Sequence, residues 1–493
     1  MQRKNVILIT SDQFRWDTLS CNGSKDVKTP GFDRMAKEGI TFTNAMSSNP
    51  ICVPARATMT TGNHSHKCTG RKENAGRIKD DQLKIAEYFN SYGYETYKYG
   101  KFHYVPYQKD RIVHGFKHWE MTESGRLVNQ EVKTGKDLGG EDYFKYLESV
   151  GYPNMARAHG IGNNDVHAGL SALPLEHFVD CWILKRTLEN LKKHLKEKQD
   201  KPFFLWMSFP KPHSPYDPPE PYHKMYDPRK ISKPAGKYEM LFDKNPELRL
   251  RQRRYGMNFF SEQGVQLSRA RYFGLVSLQD KLVGELLKFL KENGLAKSTS
   301  LLFAADHGDL LGDFGIFFKS CFLNGSVRVP FLISSPFLKK NGMKSKDLVG
   351  LEDVFPTLCD LAGLPAPQNI DGRSVISQDL PKREVYISQC NETPNQLYMA
   401  FDGRYKYCYA ECEGTEELYD QKNDIKEIHN LAKSKKHAKI VKYLRNCVID
   451  WCKNNQDTMM LDKKGKLKKS VLKEIDEELT YKDFTSYLGW RKY

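Results

Sequence analysis

Short apolar runs alternate with amphipathic segments along most of the chain. The runs "VILI" (6–9), "PFFLWMSF" (202–209) and "LLFAA" (301–305) are continuous, which is typical of strands buried on both faces of a parallel sheet. Residues 175–197 and 270–294 instead carry apolar residues at helical spacing. Strands that alternate with helices predict an α/β fold, with a large and mostly parallel sheet flanked by helices.

The pattern changes after about residue 375. Three short strand-like segments, "REVYISQC", "YMAFDGRYKYCYAE" and "EELYD", precede an amphipathic helix over 436–455. We therefore predict a large domain over 1–375 and a smaller C-terminal α+β subdomain, with a small antiparallel sheet, over 376–455. The lysine-rich residues 456–493 are predicted to form a basic C-terminal tail.

Composition narrows the functional classes. The chain has 77 Lys and Arg against 61 Asp and Glu, a net charge of +16, which favours anionic partners. No zinc-ligand spacing or RNA-binding signature supports a nucleic-acid partner, and no apolar run is long enough for membrane insertion. The odd count of 11 cysteines, without disulfide-like spacing or a signal peptide, predicts a cytoplasmic location. A secreted or periplasmic chain without its leader would look the same.

Two of the predicted strand ends carry acidic and amide groups. Asp12 and Gln13 follow the first strand, and Asp306 and His307 follow the run that ends at residue 305. Ligands of open α/β sheets bind outside the carboxyl ends of the strands, so these groups are expected to converge. Converging carboxylate and amide oxygens suit a hard cation, Ca²⁺ or Mg²⁺. Taken alone, Asp12 would be interpreted as a helix cap or a turn residue.

Cationic groups follow other predicted elements. They are Arg56, Lys101, His103, Lys211, His213 and Lys319. Beside a metal, such groups suit a tetrahedral oxyanion in phosphoryl or sulfuryl transfer. Histidines titrate near neutral pH, so His103 and His213 are candidates for moving protons. Each residue alone is at least as easily interpreted as a surface lysine or a satisfied histidine, so the prediction depends on their recurrence at strand ends.

Cys52 stands in "NPICVPARATMTTG" without a second cysteine in a C-x-x-C pair. The segment "CVPAR" resembles the C-x-P-x-R signature of the type I sulfatases, a branch of the alkaline-phosphatase superfamily. Other landmarks of that family are present in the family's order: "VILITSDQ", "GKFHY", "PKPHSPYDPP", "DHGDLLGDFGIFFKS" and "RYKYCYAECEGTEELYDQKNDIKEIHNLA". The resemblance covers roughly residues 4 to 450 and implies that 1–375 is an alkaline-phosphatase-like catalytic domain.

The resemblance implies a chemistry for Cys52. In this family a separate maturation enzyme oxidises the cysteine to formylglycine, and a hydroxyl of the hydrated aldehyde attacks the sulfate sulfur and expels the alcohol. A base then assists release of sulfate, and the aldehyde is restored. Cys52 would be the precursor of the nucleophile rather than a thiolate. The implied substrate is a sulfated small molecule or oligosaccharide.

The resemblance also implies a set of metal ligands. They are Asp12, Gln13, the modified Cys52, Asp306 and His307, with Ca²⁺ as the ion and Mg²⁺ as the alternative. His307 stands where relatives often carry asparagine, so it is either a ligand or a neighbour of the metal. Gln13 departs from the form of the family that has two aspartates here, which leaves the same two alternatives.

The remaining roles carry over from the family by position. Arg56 would hold the hydrated aldehyde and the oxygens around the metal. Lys101 and Lys319 would bind sulfate oxygens. His103 would support breakdown of the sulfated diol, and His213 would protonate the leaving alcohol, with Lys319 as the rival donor. No firm role follows for Lys211, and none for Phe314, which stands where many relatives have histidine.

Three other functions compete with this interpretation. Phosphonate monoester and phosphodiester hydrolases use the same C-x-P-x-R formylglycine site. A non-catalytic binder of anionic glycans or nucleic acid would use the basic surface alone. A metallophosphatase would need a Ser or Thr nucleophile that is missing here. A sulfated sugar is the default substrate, while aryl, steroid and choline sulfates stay open because specificity would depend on the loops at 104–175 and 217–262.

Overall fold

The computed structural model describes residues 4–104, 113–198, 200–254, 257 and 260–471. Its centre is an eight-stranded sheet. The strands, in chain order, are β1 (Asn5–Asp12), β2 (Gly39–Ala45), β3 (Glu95–Gly100), β4 (His118–Met121), β5 (Phe203–Pro212), β6 (Thr299–Ala305), β7 (Phe331–Ser334) and β8 (Met343–Val349). They lie in the order β4-β3-β5-β1-β6-β7-β2-β8, and only β7 runs antiparallel to the others.

Helices cover both faces of this sheet. They are α1 (Pro30–Lys37), α2 (Cys52–Thr61), α3 (Ser65–Cys68), α4 (Ile85–Ser91), α5 (Arg126–Thr134), α6 (Asp142–Ser149), α7 (Val179–Glu197), α8 (Pro246–Arg254), α9 (Glu262–Glu292), α10 (Asn324–Val327) and α11 (Val354–Ala362). Phe203 and Phe204 point to opposite faces because strand side chains alternate. His194 of α7 packs on Phe203 and Phe89 of α4 stacks on Phe204, so these two helices cover opposite faces.

The turn from α1 into β2 depends on a glycine. A Cβ atom at Gly39 would lie 1.7 Å from the carbonyl oxygen of Ile333 in β7. A side chain at this position is therefore excluded by the backbone of the neighbouring strand. The helix ends before this position, with Glu38 as its C-cap, and Gly39 is already the first residue of β2.

A second, four-stranded antiparallel sheet follows in the chain. Its strands are β9 (Tyr386–Cys390), β10 (Leu397–Phe401), β11 (Tyr405–Ala410) and β12 (Thr415–Asp420), and α12 (Ala438–Asn454) comes after them. Tyr398 of β10 packs in one cluster with Leu444 of α12. Met399, on the opposite face, packs in a cluster with Ile51, the residue before Cys52. The small sheet therefore supports the segment that presents Cys52.

These features confirm the predicted fold class: a large, mostly parallel sheet flanked by helices, with a smaller α+β unit at its C-terminal side. The boundaries at 375/376 and 455/456 stay predictions. Part of the predicted basic tail is packed, since Met460 is fully buried in the cluster of α12, while residues 472–493 lie outside the described residues. No helix among the described residues is long and apolar enough to cross a membrane.

Candidate active site

Four potential metal ligands meet at the carboxyl ends of β1 and β6. Asp12 is the last residue of β1, and Asp306 follows β6; Ser11 and Ala305 are paired in the sheet, so the next residues lie side by side. His307 and Cys52, the first residue of α2, complete the group. One ligand atom from each of the four residues lies within 4.8 Å of the others, and all four are buried.

The amide of Gln13 is fixed in one orientation. Its Nε2 donates to Oδ2 of Asp309 at 2.7 Å, and its Oε1 accepts from Nζ of Lys319 at 2.6 Å. Its backbone N–H donates to Oδ1 of Asp306 at 3.0 Å. Because Asp309 holds the NH₂ group, the amide oxygen is the atom that Gln13 presents toward the charged residues of the site.

His307 is oriented in the same way by a backbone group. Its Nδ1 lies 2.9 Å from the carbonyl oxygen of Gly308, which can only accept, so Nδ1 carries the proton. Nε2 is the nitrogen that faces Sγ of Cys52 at 3.0 Å and Oδ1 of Asp12 at 3.8 Å, and burial is outweighed by Asp306 and Cys52, which raise the pKa of this imidazole. This is the arrangement typical of metal-binding histidines, which donate their other N–H to a carbonyl or carboxylate.

Arg56 neutralises the two carboxylates. It is fully buried; its Nε donates to Asp306 at 2.9 Å and its Nη2 donates to Asp12 at 3.3 Å. Nη1 donates to Oγ of Ser208 on β5 at 2.9 Å. Burial opposes the charge, but Asp306 and Asp12 outweigh burial and raise the pKa of Arg56. Since Cys52 and Arg56 stand one helical turn apart on α2, the C-x-P-x-R spacing directs both toward the same cluster.

Positive charge also acts on Cys52. Burial and the Asp12 carboxylate would raise the pKa of its thiol, but Lys319, His307 and Lys101 outweigh them and lower it. The surroundings therefore stabilise negative charge at the position of this side chain.

Lys101 and His103 follow the end of β3. Nζ of Lys101 lies 2.5 Å from Oδ2 of Asp12, although its side chain is only 1% exposed. His103 has a positive φ of 54°, and its backbone N–H donates to Oε1 of Glu123 at 2.6 Å. Burial, followed by the charges of Lys101 and Arg126, holds the pKa of His103 well below its usual value. His103 is thus a neutral imidazole near pH 7.

His213 and Lys319 form a hydrogen-bonded pair. Nδ1 of His213 lies 2.9 Å from the Ser214 carbonyl oxygen and so carries the proton. Its Nε2 accepts from Nζ of Lys319 at 2.9 Å. Burial and the charge of Lys319 hold the pKa of His213 well below its usual value. Lys319 is therefore the member of the pair that holds the extra proton.

Every predicted site residue except His103 is joined to another by a contact of 3.8 Å or less, and His103 lies within range of the charges of Lys101 and Asp12. Lys211, for which no firm role is predicted, pairs with Asp217 and donates to the Pro215 carbonyl oxygen at 2.7 Å. Phe314 is buried beneath Lys244, whose Nζ lies 4.7 Å from the ring centre, and is structural.

Two residues that hold site residues in position are not among the predicted ones. Asp309 orients Gln13, and it also accepts from the hydroxyl of Tyr216 at 2.5 Å. It is the second aspartate of "DHGD", so its position in the motif was a signal. Glu123 supports His103 from a loop with no recognisable motif, and nothing in the sequence marks it.

The arrangement combines a buried pair of carboxylates with a surrounding ring of cations. The carboxylates of Asp12 and Asp306, with His307 and the group at position 52, can hold a divalent cation. Lys101 and Lys319 can hold an anion beside it, and the Lys319–His213 pair can exchange a proton with that anion's leaving group. The group at position 52 faces both.

Comparison with known proteins agrees with the sequence resemblance. A model of the sulfatase family matches residues 4–364, and one described as the C-terminal part of N-sulphoglucosamine sulphohydrolase matches residues 312–454. An arylsulfatase of Clostridium perfringens (strain 13 / Type A) is 30% identical over 462 residues, which cover 91% of this chain and 94% of that protein.

Solved structures share the fold. A phosphonate monoester hydrolase of Agrobacterium radiobacter superposes with a TM-score of 0.79 and 22% identity, over 95% of this chain and 100% of that one. A structure in complex with its substrate, D-glucosamine-2-N,6-O-disulfate, superposes with a TM-score of 0.72 and 21% identity, over 92% of this chain and 98% of that one. The likeness extends over both sheets.

Proposed function

The chain belongs to the sulfatase family and is a sulfuric ester hydrolase, and we propose that it removes sulfate from a sulfated sugar by means of a formylglycine formed from Cys52. The observation that carries the proposal is the position of Cys52, at hydrogen-bonding distance from His307 and within the buried group of potential metal ligands.

We propose Ca²⁺, with Mg²⁺ as the alternative, as the bound ion. The donor set fits a hard cation, since Asp12, Asp306 and Gln13 all present oxygen atoms. Two buried carboxylates side by side repel each other unless positive charge lies near them; Arg56 contacts both and Lys101 contacts Asp12, and a divalent cation would add to this compensation. Nε2 of His307 faces the same place, because Nδ1 is held by the Gly308 carbonyl oxygen. When bound, the ion would polarise the group at position 52 and a sulfate oxygen.

The maturation step is proposed to precede folding. Every residue of α2 is buried, and Cys52 itself is 1% exposed. A separate enzyme cannot reach such a thiol in the folded chain, so it must act on an unfolded segment. The predicted cytoplasmic location is compatible with this order of events and stays a prediction.

The chain's own residues would then bind and orient the sulfate group. Lys101 and Lys319 approach the cluster from β3 and from the loop after β6, so they can hold sulfate oxygens from two sides. Arg56 is held by the two carboxylates and Ser208. Because it lies on the same helix as position 52, it fixes the position of that helix relative to Asp306. These contacts exclude water because all of the contributing side chains except Lys319 are fully or almost fully buried.

Proton transfer to the leaving alcohol is assigned to the Lys319–His213 pair. The ammonium group of Lys319 holds the proton, and Nε2 of His213 accepts from it. A sulfate ester that binds Lys319 brings its bridging oxygen close to the same proton. His103, neutral because of its burial, is proposed as the base that assists release of sulfate.

Peptide mass spectrometry across Cys52, combined with turnover of 4-nitrophenyl sulfate and of defined sulfated sugars, tests the proposal. We expect formylglycine in active preparations, loss of activity on chelation, and recovery with Ca²⁺ or Mg²⁺. Full activity with an unmodified Cys52 would overturn the formylglycine mechanism. A higher kcat/KM for a phosphodiester than for every sulfate ester would favour the phosphonate monoester and phosphodiester alternative.

A further inference from the structure

Two arginines bind neighbouring carbonyl groups beside the site. Nη1 of Arg126, at the start of α5, donates to the carbonyl oxygen of Glu123 at 3.0 Å. Nη2 of Arg157 donates to the carbonyl oxygen of Ser124 at 3.2 Å and also to the side chain of Asn163. The two guanidinium groups therefore converge on one short stretch of backbone.

Carboxylates act on the two arginines only from beyond ion-pair distance within the described residues: Glu123 on Arg126, and Asp217 and Glu141 on Arg157. Neither Arg126 nor Arg157 has a carboxylate within ion-pair distance among the described residues, although both are partly buried. Nη1 of Arg157 is buried and has no hydrogen-bond partner within the same part of the chain. Asp217 acts on Arg157 only at longer range, and its oxygens already pair with Lys211 and His159. Partly buried charges without a partner are costly, which indicates a missing anionic ligand.

The arginines lie between the segments that carry the two histidines of the site. Glu123, whose carbonyl group Arg126 binds, accepts from the backbone N–H of His103 at 2.6 Å. Asn163, which Arg157 contacts, accepts through its carbonyl oxygen from Oγ of Ser214 at 2.5 Å, next to His213. Burial lowers the pKa of both histidines, followed by Lys101 for His103 and Lys319 for His213, and the charge of Arg126 adds to both effects.

We propose that Arg126 and Arg157 form a subsite for a second anionic group of the substrate, a carboxylate or a second sulfate. Guanidinium groups bind such planar or tetrahedral oxyanions through paired hydrogen bonds. The inference rests on the proposed function and narrows its substrate to sulfated sugars that carry another negative charge. Arg126 and Arg157 are then specificity-determining residues that would contact the second anionic group and not the reacting sulfate.

The test compares substrates that differ only in the second group. The first pair is a monosulfated disaccharide with a uronic-acid carboxylate and the corresponding methyl ester, in which only the carboxyl group is neutral and the sulfate is kept. The second pair is the methyl ester with and without an additional sulfate. 4-Nitrophenyl sulfate, which has no second anion, reports the sulfate chemistry alone. The two pairs distinguish a carboxylate from a sulfate as the preferred partner.

We expect the charged member of at least one pair to have a kcat/KM about 10- to 100-fold above its neutral partner, the usual range for charge-assisted hydrogen bonds. Arg126→Gln and Arg157→Gln should each reduce that preference to about threefold or less. Turnover of 4-nitrophenyl sulfate should stay within about threefold of wild type in Arg157→Gln. Because the charge of Arg126 also acts on His103 and His213, the readout for Arg126→Gln is the ratio of kcat/KM within each substrate pair. Arg34→Gln, which removes an exposed arginine of α1 paired with Glu38, is the charge-matched control and should leave all ratios unchanged.

Two results would overturn the inference. One is a wild-type enzyme that does not distinguish either pair; the other is an equal loss for charged, neutral and aryl substrates in Arg126→Gln. If Arg157→Gln does not fold, Arg126→Gln decides alone. If no sulfate ester is turned over, calorimetric binding of the desulfated uronate disaccharide and its methyl ester gives the answer. Tighter binding of the acid that disappears in Arg126→Gln would retain the subsite while the proposed function fails.

Discussion

Charged residues gather at both ends of the large sheet, but in different surroundings. At the carboxyl end, Asp12 and Asp306 are fully buried and share Arg56, which is buried as well. At the amino end, Glu95 starts β3 and pairs with Lys198 and Lys201, whose side chains are 30% and 58% exposed. Solvent screens the second group, and its pairs are expected to contribute little beyond local stability.

The two ends of the sheet also differ in where a cavity lies and where the buried charged groups lie. A cavity of about 560 Å³ lies at the amino ends of the strands, with Asn5, Phe203 and Ser298 in its wall. Its histidine, His194, is already satisfied by the Tyr97 hydroxyl and the Lys201 carbonyl group. At the carboxyl end, by contrast, buried Asp12 and Asp306 share Arg56, and Asp12 also pairs with Lys101. Unscreened charge, rather than an open cavity or a count of ionic residues, therefore marks the active end of this sheet.

The largest expected effect is the loss of the group at position 52. Cys52→Ala should reduce turnover of sulfate esters by more than ~10³-fold, because it removes the proposed precursor of the nucleophile from a reaction that enzymes accelerate by at least ~10⁶-fold. Stability, measured by thermal unfolding, should change little. Cys68→Ala is the matched control: Cys68 is also fully buried, but it lies outside the cluster, so activity should persist. Comparable losses in both variants would contradict a special role for Cys52.

The next effect separates two buried histidines at opposite ends of the sheet. His213→Ala should cost a sulfated sugar ~10²–10⁴-fold more in kcat than 4-nitrophenyl sulfate, because a sugar alkoxide needs a proton and nitrophenolate leaves without one. His194→Ala should affect stability and leave the ratio of the two substrates unchanged. A uniform rise in KM with normal kcat in His213→Ala would mean that His213 binds substrate and does not assist proton transfer.

A smaller effect is expected when the orientation of Gln13 is disturbed. Asp309→Asn replaces one acceptor of the Gln13 amide by an NH₂ group, so the amide can rotate away from the metal position. Loss of such a supporting residue typically costs about 10- to 100-fold in metal affinity. The measurement is the Ca²⁺ concentration needed to restore half of the activity after chelation. Asp280→Asn, a buried aspartate that binds the backbone of Phe32, is the control, and an equal shift there would remove the argument.

The sequence predicts the parts of the molecule that depend on local pattern. The apolar runs of β1, β5 and β6 identify the centre of the sheet, and the motif residues at their ends do meet in one cluster. Support that comes from distant loops is different. Glu123 meets His103 because β4, which it follows, pairs with β3, and a single sequence does not show which strand is the neighbour of β3.

The direction of the Lys211 side chain is another feature that the local sequence pattern does not predict. Lys211 stands two residues before His213, yet its strand position turns it toward Asp217 and away from the cluster. Successive side chains of a strand alternate, but β5 is irregular where Asp12 pairs with Pro212, so the direction of its last side chains does not follow from the sequence. The protonation of the Lys319–His213 pair likewise depends on the Ser214 carbonyl group, which only the folded chain places there.

The smallest expected effect concerns the amino end itself. Hydrogen bonds from Lys198 and His118 outweigh burial and lower the pKa of Glu95 to about 2, below the value of about 4.3 expected for the unfolded chain. The carboxylate thus stabilises the fold above the unfolded pKa, and this contribution is lost as the pH falls through about 4 toward 2. Glu95→Gln should lower the unfolding temperature at pH 7 by ~2 °C or less, since partly exposed pairs contribute up to about 1 kcal/mol each. The difference from wild type should narrow at pH 3, while kcat at pH 7 stays unchanged. A loss of turnover in Glu95→Gln would mean that the two ends of the sheet are coupled and that burial does not separate them.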